Sequence, residues 1–263
     1  MTAPLRRCVF AALFLLLFAC TPGTPETAPT PTALPPKPQA VEFTISTGLK
    51  VNGLYYPASA NPAPVIVLMH GGGGHMDDWA QVGMVQWLQN RGAAIDPTPA
   101  PEDDPRLLAP LPEGVSFAVM VFTFRGDAIE TGIAALETAR TLPGVDPNRL
   151  ATMGSSVGAD SAAAACAAIP GCLGSLGFSP VGSLNGVIYA NTVTQMDAAG
   201  KAIWCIATEG DNGCPPATGE RFHEIVKPGG AHGLGLFALP RYTGAWQDTA
   251  EFLNHVFGSI ENE

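Results

Sequence analysis

The chain has 263 residues, of which 46% are hydrophobic and 14% charged, with 23 acidic against 13 basic side chains for a formal charge of −10. No Lys/Arg cluster occurs after residue 20, so the basic patch that binds nucleic-acid phosphates is missing and a nucleic-acid role is argued against. The length, less a leader, suits one α/β domain.

The first twenty residues read as an export signal. Arg6 and Arg7 form a basic n-region, residues 9–18 an apolar h-region, and Leu17-Phe18-Ala19-Cys20 is similar to a bacterial lipobox with Cys20 as the lipid attachment. The apolar stretch is half the roughly 20 residues that span a bilayer, so a transmembrane helix is the poorer reading. An ordinary cleaved secretion signal is the alternative. Either leader exports the mature protein, and lipidation would anchor it to a membrane of the cell envelope. Loss of Arg6 and Arg7 takes the formal charge to −12. Residues 21–40, rich in Thr, Pro and Ala, lack the apolar side chains needed to fold and read as an extended, disordered tether.

The domain is expected over residues 41–263. Alternation in residues 41–46 and again in 49–56, across a Thr-Gly turn, predicts an antiparallel hairpin. Pro64–Met69 is a continuous apolar run, as a strand buried on both faces requires. His70-Gly71-Gly72-Gly73-Gly74 follows directly. A glycine run there lets backbone N–H groups approach a developing oxyanion, and Gly72 or Gly73 is the expected donor. No Gly-Lys-Ser/Thr follows, which disfavours a phosphate-binding loop. His70 reads as an anchor of this loop. His70, His75, Asp77 and Asp78 match no zinc-ligand spacing, so no metal or cofactor is expected.

Residues 95–113, rich in Pro and acidic side chains, read as an irregular insertion. Ser116–Phe124 is the next buried strand, and Ile129, Ile133, Leu136 and Ala139 give one face of a helix. Leu150–Met153 then runs into Gly154-Ser155-Ser156-Val157-Gly158, the G-x-S-x-G pattern of a nucleophile elbow. Ser156 is the candidate nucleophile, and the N–H of Val157 the second oxyanion donor. An alanine-dense helix is expected over Ala159–Ile169, and strands at Leu176–Phe178 and Ala202–Ala207, with residues 181–198 irregular and the only room for a cap. An open or lightly covered site follows, with Trp79, Tyr189 and Trp204 as candidate pocket aromatics.

Asp211 lies in the loop after the Ala202–Ala207 strand, where a carboxylate can orient a histidine; Glu209 is its competitor. His232, in a Gly-rich loop after the apolar run Phe222–Val226, is the candidate general base. His223 falls within that strand and His255 within a C-terminal amphipathic helix from Trp246 to Phe257. Of six cysteines, Cys8 leaves with the leader and Cys20 would carry lipid. Cys166, Cys172, Cys205 and Cys214 are an even set for an oxidising compartment. Of three possible pairings the two local ones, Cys166–Cys172 and Cys205–Cys214, are favoured over the other pairings and over buried free thiols.

The alternation of strand and helix predicts a mostly parallel, doubly wound α/β sheet with helices on both faces. With the elbow, the His-Gly-Gly-Gly loop, Val145-Asp-Pro-Asn-Arg149 before the elbow strand, and the chain order Ser156, Asp211, His232, the sequence resembles the α/β-hydrolase superfamily, and more narrowly its dienelactone-hydrolase-like and esterase members. The resemblance covers nearly all of residues 41–257. It implies Ser156 as nucleophile, His232 as base then acid, Asp211 as its orienting carboxylate, and Gly72 and Val157 as oxyanion donors. Dienelactone hydrolases proper carry a cysteine where Ser156 stands, which favours a general serine esterase of small-molecule carboxylic esters. A lactonase, a peptidase, or an exported binding protein without turnover are the alternatives.

Overall fold

The computed structural model describes residues 37–90, 111, 115–237 and 244–258, all within one compact unit spanning residues 31–263. The leader, Cys20, most of the tether and nearly all of residues 95–113 lie outside the described residues. Among the described residues, no helix is long and apolar enough to cross a membrane.

Eight strands form one sheet in the order β1-β2-β4-β3-β5-β6-β9-β10. They are β1 Gln39–Thr44, β2 Lys50–Tyr56, β3 Ala63–Met69, β4 Ala118–Phe122, β5 Val145–Ser155, β6 Cys172–Phe178, β9 Ala202–Thr208 and β10 Phe222–Lys227. Strands β1 and β2 pair antiparallel, as do β2 and β4, and every other pairing is parallel. The strand begins at Gln39, slightly inside the segment read as tether.

Both faces of the sheet are covered. Helices α3 Ala128–Ala139, α4 Val157–Ala168 and α5 Tyr189–Ala198 bury one face, and α1 Asp78–Gln81, α2 Met84–Gln89 and α6 Gly244–Phe257 bury the other. In β3, Val65, Val67 and Met69 join the first core while Ile66 and Leu68 join the second. That two-sided burial is why the strand is apolar throughout rather than alternating.

Helix α3 starts where the Asp127 side chain accepts the Glu130 N–H at 2.9 Å. Helix α4 is closed at its end by the Cys166–Cys172 disulfide and by Lys201, whose Nζ donates to the carbonyls of Cys166 (2.6 Å) and Ile169 (3.0 Å). The second disulfide joins Cys205 in β9 to Cys214. Both favoured pairings are therefore present.

Residues 181–198 are not irregular. Ser183–Leu184 (β7) and Val187–Ile188 (β8) form a two-stranded hairpin around Asn185-Gly186, both at positive φ (50° and 83°), and α5 follows. Asn-Gly is a strong sequence signal for such a turn. The strands flanking it are too short to show alternation, so the hairpin is not visible by periodicity. Tyr189, Val193 and Met196 form the buried face of α5.

The chain reverses its order along the sheet at β3, with β4 to one side and β5 to the other. Sites in open α/β sheets form at the carboxyl ends of strands flanking such a reversal. Here those ends carry the glycine loop after β3 and the elbow after β5.

Candidate active site

Ser156 stands between β5 and α4 with φ 55° and ψ −126°, a conformation that costs a non-glycine residue about 1–3 kcal/mol. Its N–H donates to the Phe178 carbonyl at 2.8 Å and its carbonyl accepts from Ala159 N–H at 2.8 Å, which fixes the turn from both sides. The flanking glycines are sterically required. A Cβ on Gly154 would run into the Gly158 backbone, and a Cβ on Gly158 into the carbonyls of Met69 and His70. Helix α4 thereby begins pressed against the end of β3.

The glycine loop passes directly over the elbow. A side chain at Gly71 would touch Ser156 Cβ at 3.5 Å, and one at Gly72 would touch Val157 Cγ2 at 3.8 Å. His70 sets the loop: its Nε2 accepts the Phe124 N–H at 3.1 Å, so the proton sits on Nδ1, which donates to the Gly71 carbonyl at 2.7 Å. Burial holds the His70 imidazole below its ordinary range, consistent with this neutral tautomer. Val157 opens α4, and as the first helical residue its N–H lacks an intrahelical acceptor.

Asp211 and His232 are in direct contact. His232 Nδ1 lies 2.7 Å from Asp211 Oδ2, with the imidazole about half exposed (51%) and the carboxylate largely covered (18%). Glu209, the competing carboxylate, is exposed at the start of the short 3-10 turn Glu209–Asp211. Four hydrogen bonds stitch the histidine loop to the strand ends. Gly210 N–H donates to the Gly229 carbonyl (2.7 Å), and Thr208 Oγ1 to the Ala231 carbonyl (3.0 Å). Gly233 N–H donates to Ser179 Oγ (3.0 Å), and Leu234 N–H to Ser155 Oγ (3.2 Å). The two residues after the candidate base are thus bonded to Ser179 and Ser155, and Gly233, at φ 55°, has no room for a Cβ against Ser155 Oγ.

Ser155, Ser179 and Thr208 were not singled out from the sequence. All three sit at the carboxyl ends of parallel strands (β5, just after β6, and β9), the one signal that could have marked them. Asp160 was missed as well. It is buried on α4 one turn beyond Ser156 and accepts the Val181 N–H at 2.8 Å, which holds the loop after β6.

The remaining candidates lie elsewhere. Trp79, Tyr189 and Trp204 are buried in the two cores, each on an element packed on the sheet, and none of them lines the cleft beside His232. His223 and His255 rest against the Trp204 ring. His75 Nδ1 is 3.0 Å from Asp77 Oδ2 at the surface. Among the described residues, no group of three or more His, Cys, Asp or Glu side chains is placed to hold a metal ion.

A cleft of about 650 Å³ adjoins the pair, lined by His232, Asp211 and Ser179 and walled by Val181 and Ile188 on one side and residues 212–216 on the other. The arrangement offers a strained, presented serine, a carboxylate-oriented imidazole on a loop tied to that serine's neighbour, and a backbone loop over the elbow. Those are the parts from which acyl transfer is built.

No known family model and no curated protein sequence matches this chain. Solved structures do. The esterase Pf2001 of Pyrococcus furiosus superposes with a TM-score of 0.59 at 13% identity, over 84% of this chain and 92% of that one. GrgF from Penicillium sp. sh18, an α/β hydrolase, gives 0.58 at 13% identity, over 84% and 99%. EstE1, a thermostable carboxylesterase from a metagenomic library, gives 0.54 at 15% identity, over 88% and 92%. At such identities the likeness is one of fold, and the fold of this chain is that of the α/β hydrolases.

Proposed function

We propose that this protein is a serine hydrolase acting on carboxylic esters. The observation that carries the proposal is the joint geometry of Ser156, held at φ 55° on its elbow, and His232, paired with Asp211 at 2.7 Å on a loop bonded to Ser155. In this reading Ser156 Oγ attacks the ester carbonyl as His232 Nε2 takes its proton. The carbonyl oxygen becomes an oxyanion, met by the N–H of Val157 and of Gly72 or Gly73. The C–O bond to the alcohol breaks and the alcohol oxygen leaves with the histidine's proton. Water then gives a proton to His232 and attacks the acyl-enzyme; the acid departs and Ser156 is reprotonated. Asp211 holds the imidazole in the tautomer that leaves Nε2 free to accept. The half-exposed His232 favours small or solvent-accessible acyl groups over a deep tunnel.

Export also belongs to this proposal. Two disulfides in one domain favour an oxidising compartment, consistent with the Arg6–Cys20 leader and a lipid anchor at Cys20.

Hydrolysis of phenyl acetate and ethyl acetate by the mature domain tests the reaction. Ser156→Ala and His232→Ala should each lower kcat by about 10³-fold or more with unfolding temperatures near wild type. Ester turnover that survives Ser156→Ala would place the chemistry elsewhere.

A further inference from the structure

We infer that the cleft beside His232 is the leaving-group subsite and that it selects esters of bulky, uncharged, apolar alcohols. This rests on the esterase reading and adds to it which half of the ester is recognised. The histidine that accepts the serine proton must return it to the departing oxygen, so the alcohol half lies against the imidazole. The acyl half lies on the other side, under the glycine loop and Val157. The cleft is lined by His232, so its volume adjoins the imidazole that would hand its proton to the departing oxygen.

Its walls match that occupant. Val181 and Ile188 are 46% and 50% exposed, unusual for large apolar residues, and both face this cleft along with Pro180, Pro215 and Pro216. The one acidic side chain in the lining, Asp211, is already engaged with His232, and no basic residue other than His232 lines the cleft. Asn212 and Ser179 are the other polar side chains of the lining, and a charged alcohol would find no unengaged counter-ion there. Methanol or ethanol would leave most of about 650 Å³ unfilled.

The walls are also fixed in advance. Asp160 accepts the Val181 N–H at 2.8 Å, and Tyr189 N–H donates to the Gly182 carbonyl at 3.0 Å. On the opposite side Cys214 is bonded to Cys205. A preformed cleft spends little free energy on ordering when it is filled.

The test compares acetates of ethanol, n-hexanol and cyclohexylmethanol, whose alcohols are of similar acidity, so that the chemistry is held constant. The expected kcat/KM for the two larger esters exceeds that for ethyl acetate by 10-fold or more, within the range that a few buried methylenes give. The double variant Val181→Asp/Ile188→Asp, altered only at exposed positions, should reduce that ratio by about 10-fold. A parallel pair, ethyl acetate and ethyl hexanoate, reports on the acyl side and should keep its ratio in the variant. Turnover indifferent to alcohol size, or a variant that shifts the acyl ratio instead, would overturn the subsite assignment alone. Absence of turnover on every ester, together with a wild-type serine that no activated phosphonate labels, would overturn the esterase reading and this inference with it.

Discussion

Asp160 shows how much a single residue near the elbow contributes without touching a substrate. It is 3% exposed, its Oδ2 accepts from Val181, and its Oδ1 has no hydrogen-bond partner. Burial pushes its carboxyl from 3.8 to about 6, against the opposing effect of the backbone N–H groups of Val181 and Gly182. A carboxyl raised in the folded state favours folding while it is neutral. That contribution is complete below pH 3.8 and is lost as the pH rises through about 6, amounting to about 3 kcal/mol. In Asp160→Asn the acceptor for Val181 is kept and the ionisation removed. Unfolding measured between pH 4 and pH 8 should show the variant gaining on wild type across that window. Parallel curves would refute the assignment. None of this was visible in the sequence, where Asp160 is one polar residue in an alanine-rich helix. Ser156 was visible, because the steric demand of the elbow is local and writes glycines two residues to either side.

Among the elements, the loop between β9 and β10 matters most. It carries Asp211, and its ties are the Cys205–Cys214 disulfide, the Gly210–Gly229 bond and the Asp211–His232 contact. Replacing both cysteines with alanine (Cys205→Ala/Cys214→Ala) should cost about 2–3 kcal/mol of stability, as expected for closing a short loop. It should also lower kcat about 10-fold, because Asp211 then samples positions away from His232. The other disulfide, Cys166–Cys172, closes a comparably short loop far from the pair, at the opposite end of α4. Its removal should cost similar stability and leave kcat within about twofold. Equal effects of the two pairs on kcat would show that the β9–β10 disulfide has no part in positioning. Both pairings were legible as local spacings of cysteine. The hairpin and helix in residues 183–198 were not, since two-residue strands carry no periodicity and the helix begins without a side-chain cap.

At the scale of the molecule, the fold explains why residues distant in sequence meet. Ser156, Asp211 and His232 each follow one of the parallel strands of the sheet, β5, β9 and β10, so their loops emerge on the same edge. Their chain order and the continuous apolar runs of β3, β4 and β9 were enough to read the architecture, because strands buried on both faces admit little else. What could not be read was how the loops are locked together. Ser155, Ser179 and Thr208 hold the histidine loop through contacts between residues as far as 79 apart in the chain, and such pairs leave no local pattern.

The central proposal, an activated Ser156, is tested most directly by treating the folded mature domain with a fluorophosphonate and mapping the adduct by mass spectrometry. One phosphonyl group on Ser156 is expected, absent in Ser156→Ala and formed far more slowly in His232→Ala. A folded wild-type protein that stays unlabelled, or that carries the label on another residue, would contradict it.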